Sequence, residues 1–525
     1  MERLTESIQR HKKLLLFCLL SVFLWGLMAH GYGFLHSSFS HDSLYEFNGD
    51  GISNYIRVQN GRFISPICRR VFRTDLTLPW LIGVLGLIWI GLSVFLTARI
   101  FHLESKLVVF LIAGFFTANL TVSSTAATFL HDFDCDMLAL LFSVGAVFLW
   151  NRRKWGFLPG ALLVMLSLGL YQSYICVTIT MGMLVCMMEL LDGRTAKEVA
   201  AKGLRGCAML LLGGAIYFVV MKAVLLVTQI PMLTGVYNSL DRPLQVADKN
   251  WFDIRYVIGE TYWLLFDRVI HVLSPFPEVT RWGSICLLVI TAVLLAIGVL
   301  SKRVRLPEKV LVLILTLLLP VAMNLMHLIT LGSASHELMI YAYWLIYLIP
   351  LLLVQRLLGW LGRGNSHAIA SRVCRGTGAV CAALILVLSY ANVQTANAMY
   401  LKKDLEQDAY LSVMTRVVYR MEETQGYVPG ETPVVMVGLP QQLNEVIPGF
   451  EAYRKPNGMW MSDVLNYGDA GHWAAYFKYV LLNPAKIVSG SEWYDDPRVE
   501  ALPCYPAQGC TAIIDGTLFV KLSEP

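Results

Sequence analysis

The stretch PWLIGVLGLIWIGLSVFLTARIF, residues 79–101, decides the class of fold. From Pro79 to Ala98 it carries no charged side chain. An α-helix of about 20 apolar residues crosses the roughly 30 Å of hydrocarbon in a bilayer. The stretch therefore predicts a transmembrane helix.

Runs of the same kind recur along the chain. Of the 525 residues, 56% are hydrophobic and 15% are charged, and the mean hydropathy is +0.57. This composition excludes an ordinary soluble globular protein and predicts an α-helical polytopic membrane protein. The segment 157–191 is long for one span and short for two. We count about 11 candidate transmembrane helices, near residues 13–34, 79–98, 107–127, 135–150, 156–171, 173–191, 206–228, 283–301, 309–331, 338–360 and 377–398.

The distribution of lysine and arginine predicts the orientation. Basic residues cluster in alternate short loops, and with eleven spans these loops lie on the same side as the basic N-terminus. An excess of basic residues in short loops is typical of the cytoplasmic side. We therefore predict a multi-pass protein with a retained first helix, a cytoplasmic N-terminus and an extracytoplasmic C-terminus.

The last part of the chain has a different composition. The long apolar runs stop near Tyr400, which predicts a transmembrane domain over 1–399 and a small extracytoplasmic α/β domain over 400–525. Within the latter, TPVVMVGL predicts a buried strand, and CTAIIDGTLFVKL predicts a hairpin that turns at Asp515 and Gly516. The eleven cysteines show no metal-binding spacing. Only Cys504 and Cys510 form a candidate disulfide pair.

The first outer loop, residues 35–78, concentrates charge between the first two spans. One interpretation is that its arginines simply lie at the level of the lipid headgroups. The other is that guanidinium groups bind a phosphate while a carboxylate acts as a base. Acids and arginines share one short segment, so we favour the second. The acids are Asp42, Glu46 and Asp50, and the arginines are Arg57, Arg62, Arg69, Arg70 and Arg73.

A second acidic group lies in HDFDCD, residues 131–136. Its members Asp132, Asp134 and Asp136 repel one another near a bilayer unless protons or cations compensate them. One of them could cap the helix that follows. Alternatively, the acids bind a divalent metal, for which Asp134 and Asp136 are candidate ligands.

Tyr171 and Gln172 interrupt two apolar runs on the same outer side. They fit a plain turn with interfacial aromatic residues, and they equally fit hydrogen bonding to a sugar. The chain has no P-loop, no GxSxG, no HExxH and no GxGxxG in a βαβ context. The sequence therefore predicts neither nucleotide-driven chemistry nor nucleic-acid binding.

Four segments together resemble the Gtr-type glucosyltransferase family of phage-driven serotype conversion. They are SHDSLYEF with the downstream NGRF, PWLIGVLGLIWIGLSVFLTARIF, DFDCDMLALLFSVGAVFLW and GLYQSYI. The resemblance implies a GT-C-like enzyme of the bacterial inner (plasma) membrane. Such an enzyme moves glucose from a polyprenyl-phosphate carrier to a cell-surface glycan, such as O-antigen or another wall glycan.

The resemblance also implies roles for individual residues. Enzymes of this kind keep a catalytic acid in the first outer loop, often as two adjacent acids. Here His41 precedes Asp42 and no acid follows it directly, so the base stays open between Asp42, Glu46 and, third, Asp50. The phosphate would be bound by Arg57, Arg62, Arg69 and Arg70, and the acids of HDFDCD would position sugar hydroxyls.

Two other classes of function remain open from the sequence. A flippase for lipid-linked sugars would bind the same phosphate without chemistry. A polymerase or ligase of surface glycans would share the outer site and join longer chains.

Overall fold

The computed structural model describes residues 2–36, 38–44, 52–234, 251–330, 332, 336–361, 368–441, 460–466 and 470–524. The helices up to residue 423 are α1 (Glu2–Leu35), α2 (Ile52–Gln59), α3 (Ser65–Arg73), α4 (Pro79–Ile100), α5 (Lys106–Thr117), α6 (Leu120–Thr128), α7 (Phe133–Arg152), α8 (Phe157–Leu170), α9 (Ile175–Leu191), α10 (Ala196–Thr228), α11 (Trp251–Ile270), α12 (Pro277–Leu300), α13 (Leu306–Met323), α14 (Leu325–Ile329), α15 (Leu348–Leu361) and α16 (Ala368–Glu423).

The described part of the structure has slightly fewer membrane-length helices than the eleven spans that we predicted. Within the described ranges, nine helices are long and apolar enough to cross a membrane, and the bent pair α5 and α6 makes a tenth span if counted as one. The shorter apolar helix α8 occupies the remaining predicted run. The prediction of a polytopic helical membrane protein is therefore confirmed.

Glycines in α4 explain the close packing of the helices that carry the outer acids. A Cβ at Gly83 would lie 2.4 Å from a ring carbon of Phe34, and one at Gly86 would lie 2.2 Å from a ring carbon of Phe133. Small residues allow helices in a membrane to approach closely. As a result α1 and the start of α7 lie against the same side of α4.

The third predicted span is broken where the chain approaches the site. Asn119 stops α5 and starts α6, because its side-chain amide donates to the carbonyls of Phe115 and Phe116 while its side-chain oxygen accepts from the Val122 amide. The two helices are bent by 41°. The C-terminal end of α6 is thereby directed toward the first outer loop.

The last span and the amphipathic segment after it form one helix. We predicted a domain boundary near Tyr400, yet α16 runs without a break from Ala368 to Glu423. The stretch 379–423 contains no glycine or proline that would end a helix. The boundary itself stays a prediction.

The C-terminal region contains the strands β1 (Pro433–Val437), β2 (Lys486–Ile487), β3 (Thr511–Ile514) and β4 (Thr517–Lys521). They form one sheet in the order β2-β1-β4-β3. Strand β1 pairs in parallel with β2 and β4, and β3 pairs antiparallel with β4. Asp515 and Gly516 have positive φ angles of 48° and 78°, as a two-residue hairpin turn requires. Both the buried strand and the hairpin are confirmed. The helices of this region are α17 (Met461–Asn466), α18 (Ala470–Tyr479) and α19 (Pro497–Glu500).

One face of this sheet shares an apolar core with the first outer loop. Phe39 and Leu44 are buried in the same cluster as Met414 of α16 and Tyr476 of α18. The ring centroids of Phe39 and Tyr476 are 6.0 Å apart. The α/β region therefore packs directly on the segment that carries Asp42. The thiols of Cys504 and Cys510 are both free.

Candidate functional site

Two buried ion pairs connect the first outer loop to the start of α7. Arg57 of α2 donates from Nε to both carboxylate oxygens of Asp132, at 2.8 and 3.1 Å. Arg73 of α3 donates from Nε and Nη2 to the two oxygens of Asp134, at 2.9 and 3.1 Å. We call these four residues the arginine–aspartate cluster. It holds the loop helices α2 and α3 against the start of α7.

The remaining donors of Arg73 bind backbone carbonyls. Nη1 donates to Leu76 at 2.7 Å, and Nη2 also donates to the carbonyl of His131. Arg73 was absent from our predicted phosphate-binding set. Its position four residues after Arg69 places both on one face of α3, and both are buried. This four-residue spacing was the sequence signal that could have added Arg73 to the set.

The acids of HDFDCD do not act as helix caps. Asp132 occupies the N-cap position of α7, but its side chain makes no capping hydrogen bond. Instead, Asp132 and Asp134 are compensated by guanidinium groups. In the described part of the chain no group of three or more His, Cys, Asp or Glu side chains is placed to hold a metal ion.

The other loop arginines lie in three different settings. Arg69 donates to the Asp75 carbonyl at 3.1 Å and to the Asn54 side-chain oxygen at 3.5 Å, which ties α3 to α2. The guanidinium carbon of Arg62 lies 4.4 Å from the ring centroid of Tyr171. Arg70 is exposed. The four arginines that we predicted to bind one phosphate therefore lie in different environments. They are Arg57, Arg62, Arg69 and Arg70.

Next to the arginine–aspartate cluster is a group of buried polar atoms without partners. Among the described residues, the Tyr174 hydroxyl, the Arg62 Nε and the Ser65 hydroxyl have no hydrogen-bond partner. Asp136 is buried within electrostatic range of both Arg62 and Tyr174. We call Arg62, Asp136 and Tyr174 the polar pocket. Buried polar groups are usually paired, so these side chains are suited to hydrogen bonding with a hydroxyl-rich ligand.

Gln172 is already engaged by the protein. Its side-chain amide donates to the Asn60 carbonyl at 2.7 Å and to the Tyr217 hydroxyl at 3.1 Å. Both hydrogens of the amide are thereby used. Gln172 anchors the loop between α2 and α3, and the neighbouring Tyr171 stacks under Arg62.

Asp42 lies in a tight turn between the α/β region and the bundle. The Ser40 amide donates to the Ser43 hydroxyl at 2.6 Å, and the Ser40 hydroxyl donates to the carbonyl of Thr128 at the end of α6. Gln407 of α16 binds both backbone groups of Phe39. The side chain of Asp42 remains 54% exposed. The turn thus presents a solvated carboxylate on a fixed backbone.

A chain of close contacts connects Asp42 to the arginine–aspartate cluster. His41 Nε2 lies 3.3 Å from the Asp42 carboxylate, and the His41 ring lies edge-on against Phe129, with centroids 5.6 Å apart. Phe129 in turn contacts His131, whose Nε2 is 3.7 Å from Asp132. Asp42 and Asp132 are therefore connected through three aromatic rings, those of His41, Phe129 and His131. Glu46 and Asp50, our second and third candidates for the base, lie outside the described residues.

One thiol borders the site. Burial, and then the negative charge of Asp134, raises the pKa of Cys68 to about 11. The thiol is therefore neutral at physiological pH, and only a thiolate is an effective nucleophile. Cys68 does not supply a nucleophile here.

Comparison with known proteins identifies the family. No curated protein and no solved structure matches the chain. The family described as Glucosyl transferase GtrII matches residues 31–354. That range covers more than half of the chain and includes α2, α3, the start of α7 and Asp42. The chain therefore belongs to the GtrII glucosyl transferase family.

Proposed function

We propose that this glucosyltransferase takes its sugar from a polyprenyl-phosphate donor and transfers it to a surface glycan on the extracytoplasmic side, with Asp42 as the base. The observation that carries the proposal is the position of Asp42. Its exposed carboxylate is held on a fixed turn and is connected through His41 to the buried arginine–aspartate cluster.

The proposed step is a direct displacement. The Asp42 carboxylate accepts the proton of an acceptor hydroxyl while that oxygen forms a bond to the anomeric carbon of the glucosyl group. The bond between the anomeric carbon and the phosphate oxygen breaks, and the polyprenyl phosphate leaves with the electron pair. His41 lies 3.3 Å from the carboxylate and is placed to orient it.

The polar pocket is suited to hold the sugar ring. A hexose offers hydroxyls that both donate and accept, and the pocket offers an acceptor in Asp136, a donor in Arg62 and a hydroxyl in Tyr174. The Tyr174 hydroxyl and the Arg62 Nε cost free energy while they lack a partner. Sugar hydroxyls would therefore improve the hydrogen bonding of the site as they bind.

A lipid-linked donor is supported by the place of the site and by what the sequence lacks. The candidate residues lie at the ends of the apolar helices α1 and α7, where a phosphate attached to a lipid would lie at the membrane surface. The chain carries no nucleotide-binding motif. The basic short loops support an extracytoplasmic position for this face.

The test is a transfer assay in membranes with radiolabelled polyprenyl-phosphate glucose, with a labelled nucleotide sugar as the control donor. We expect label to enter surface glycan from the lipid donor alone. Label that crosses the bilayer but stays on lipid would mean transport, and label taken directly from the nucleotide sugar would mean a different donor. Either result would overturn the proposal.

A further inference from the structure

Lys403 is a buried cation with no compensating carboxylate among the described residues. The residue is 3% exposed and lies on α16, and its ammonium group donates to the carbonyl of Ala127 at the end of α6. In the parts of the chain that the structure describes, it forms no ion pair. An ammonium group carries three hydrogens, and one backbone carbonyl does not neutralise its charge.

Three other buried cations of the same region are balanced by carboxylates. Arg57 and Arg73 pair with Asp132 and Asp134. Lys402, the preceding residue on α16, pairs with Glu406 at 3.5 Å. Charged groups at membrane depth are costly and normally pair with one another. Lys403 departs from this rule, although Lys402, its neighbour on the same helix, obeys it.

Lys403 lies beside the turn that carries Asp42. Its acceptor is the Ala127 carbonyl, and the next carbonyl, that of Thr128, accepts from the Ser40 hydroxyl. Gln407, one helical turn after Lys403, binds the backbone of Phe39. The ammonium group therefore lies where α6, α16 and the turn of Asp42 meet.

A purely structural role explains only part of this arrangement. Lysine side chains do bind the last carbonyls of helices and interact favourably with the negative end of the helix dipole. That dipole is equivalent to about half an elementary charge, which is less than the unit charge of an ammonium group. The phosphodiester of the lipid donor, which carries one negative charge, would compensate it.

We propose that Lys403 binds the phosphate group of the lipid donor. This inference rests on the function proposed above, and it adds a phosphate-binding residue that lies outside the matched range 31–354. Not all of the first-loop arginines that we predicted to bind phosphate are available for it, because Arg57 is already paired with Asp132. A compact ammonium with free donors is suited to bind phosphate as a point charge.

The test measures lipid binding to the full-length protein in nanodiscs, with polyprenyl phosphate and the uncharged polyprenol as the two probes. We expect Lys403→Gln to weaken the binding of polyprenyl phosphate roughly tenfold to a hundredfold, as loss of a charged hydrogen bond predicts. Binding of polyprenol should not change. Lys403→Arg, which keeps the charge, should retain most of the affinity.

Lys402→Gln is the matched control. It also removes a buried lysine from α16, but one whose charge Glu406 already balances. We expect it to lower the thermal stability while leaving the phosphate-to-polyprenol affinity ratio unchanged. Inorganic phosphate added as a competitor tests whether the site recognises phosphate itself. We expect it to reduce the binding of polyprenyl phosphate to the wild type but not to Lys403→Gln.

The inference is overturned if Lys403→Gln lowers the melting temperature but binds polyprenyl phosphate as tightly as the wild type, since Lys403 would then only cap α6. That outcome leaves the proposed function intact as long as the wild type transfers glucose from the lipid donor. A wild type that neither binds nor uses the lipid donor would overturn both.

Discussion

Arg73 and Asp134 form a two-point ion pair in the interior of the protein, with hydrogen bonds of 2.9 and 3.1 Å. Their side chains are 0% and 3% exposed, although they are 61 residues apart in the chain. Breaking a buried pair leaves one charge without compensation. The docking of α3 on the start of α7 therefore depends on this pair.

The first prediction concerns that pair. Replacing Arg73 by Gln should destabilise the protein by about 3–5 kcal/mol, because Asp134 is left as an unpaired buried charge. Thermal unfolding in detergent should show the loss, while Arg70→Gln, at an exposed position of the same helix, should change little. A double variant, Arg73→Met with Asp134→Leu, should recover much of the stability. If Arg73→Gln proved as stable as the wild type, the pair would not hold the loop.

The polar pocket gives a second prediction. Tyr174→Phe removes a hydroxyl that has no partner among the described residues, so stability should be unchanged or slightly higher. The KM for the donor should nevertheless rise, because the hydroxyl is available to the sugar. Steady-state kinetics at several donor concentrations measure this.

Tyr341→Phe is the control for Tyr174→Phe. The Tyr341 hydroxyl donates to the Phe116 carbonyl at 2.7 Å, so its removal should cost about 1 kcal/mol of stability and leave the KM unchanged. An unchanged KM in Tyr174→Phe would remove Tyr174 from the sugar site.

A third prediction concerns the α/β region. Phe39→Ala should lower kcat because Phe39 anchors the turn of Asp42 against Tyr476. Phe519→Ala is a matched control, since Phe519 is buried on the opposite face of the sheet beside Val435 and Val499. Both substitutions should cost about 3–5 kcal/mol of stability. Equal kcat values in the two variants, measured below their melting temperatures, would argue against a positioning role for the α/β region.

Orientation is a fourth prediction. A cysteine introduced at the exposed Glu492, in a variant without Cys504 and Cys510, should react with a membrane-impermeant maleimide added to intact cells. A cysteine at Lys302, in a predicted cytoplasmic loop, should react only after the membrane is opened. The reverse pattern would place the site on the cytoplasmic face.

Much of the fold follows from local sequence patterns. The eleven apolar runs, the strand at Val434 and the hairpin at Asp515 are set by hydropathy and by turn residues close together in the chain. The continuity of α16 could also have been predicted, since no helix-breaking residue follows Ala379 until Gly426. The polar composition after Tyr400 instead suggested a boundary.

The site is less predictable because its contacts join distant segments. The sequence indicated that acids and arginines belong together, but it did not indicate that Arg57 pairs with Asp132 and Arg73 with Asp134. Those pairings depend on how α2 and α3 dock on α7. Lys403 was not predicted at all, since nothing local shows that α16 brings it to the end of α6.

The most direct test of the account compares Asp42→Asn with the wild type for both transfer and donor binding. The matched control is Asp75→Asn, in the same loop, where positive φ is tolerated by asparagine. We expect Asp42→Asn to lower glucose transfer by roughly a hundredfold to ten-thousandfold while polyprenyl-phosphate glucose binds as before, and Asp75→Asn to stay active. An Asp42→Asn variant that transfers glucose at the wild-type rate would contradict the assignment of Asp42 as the base.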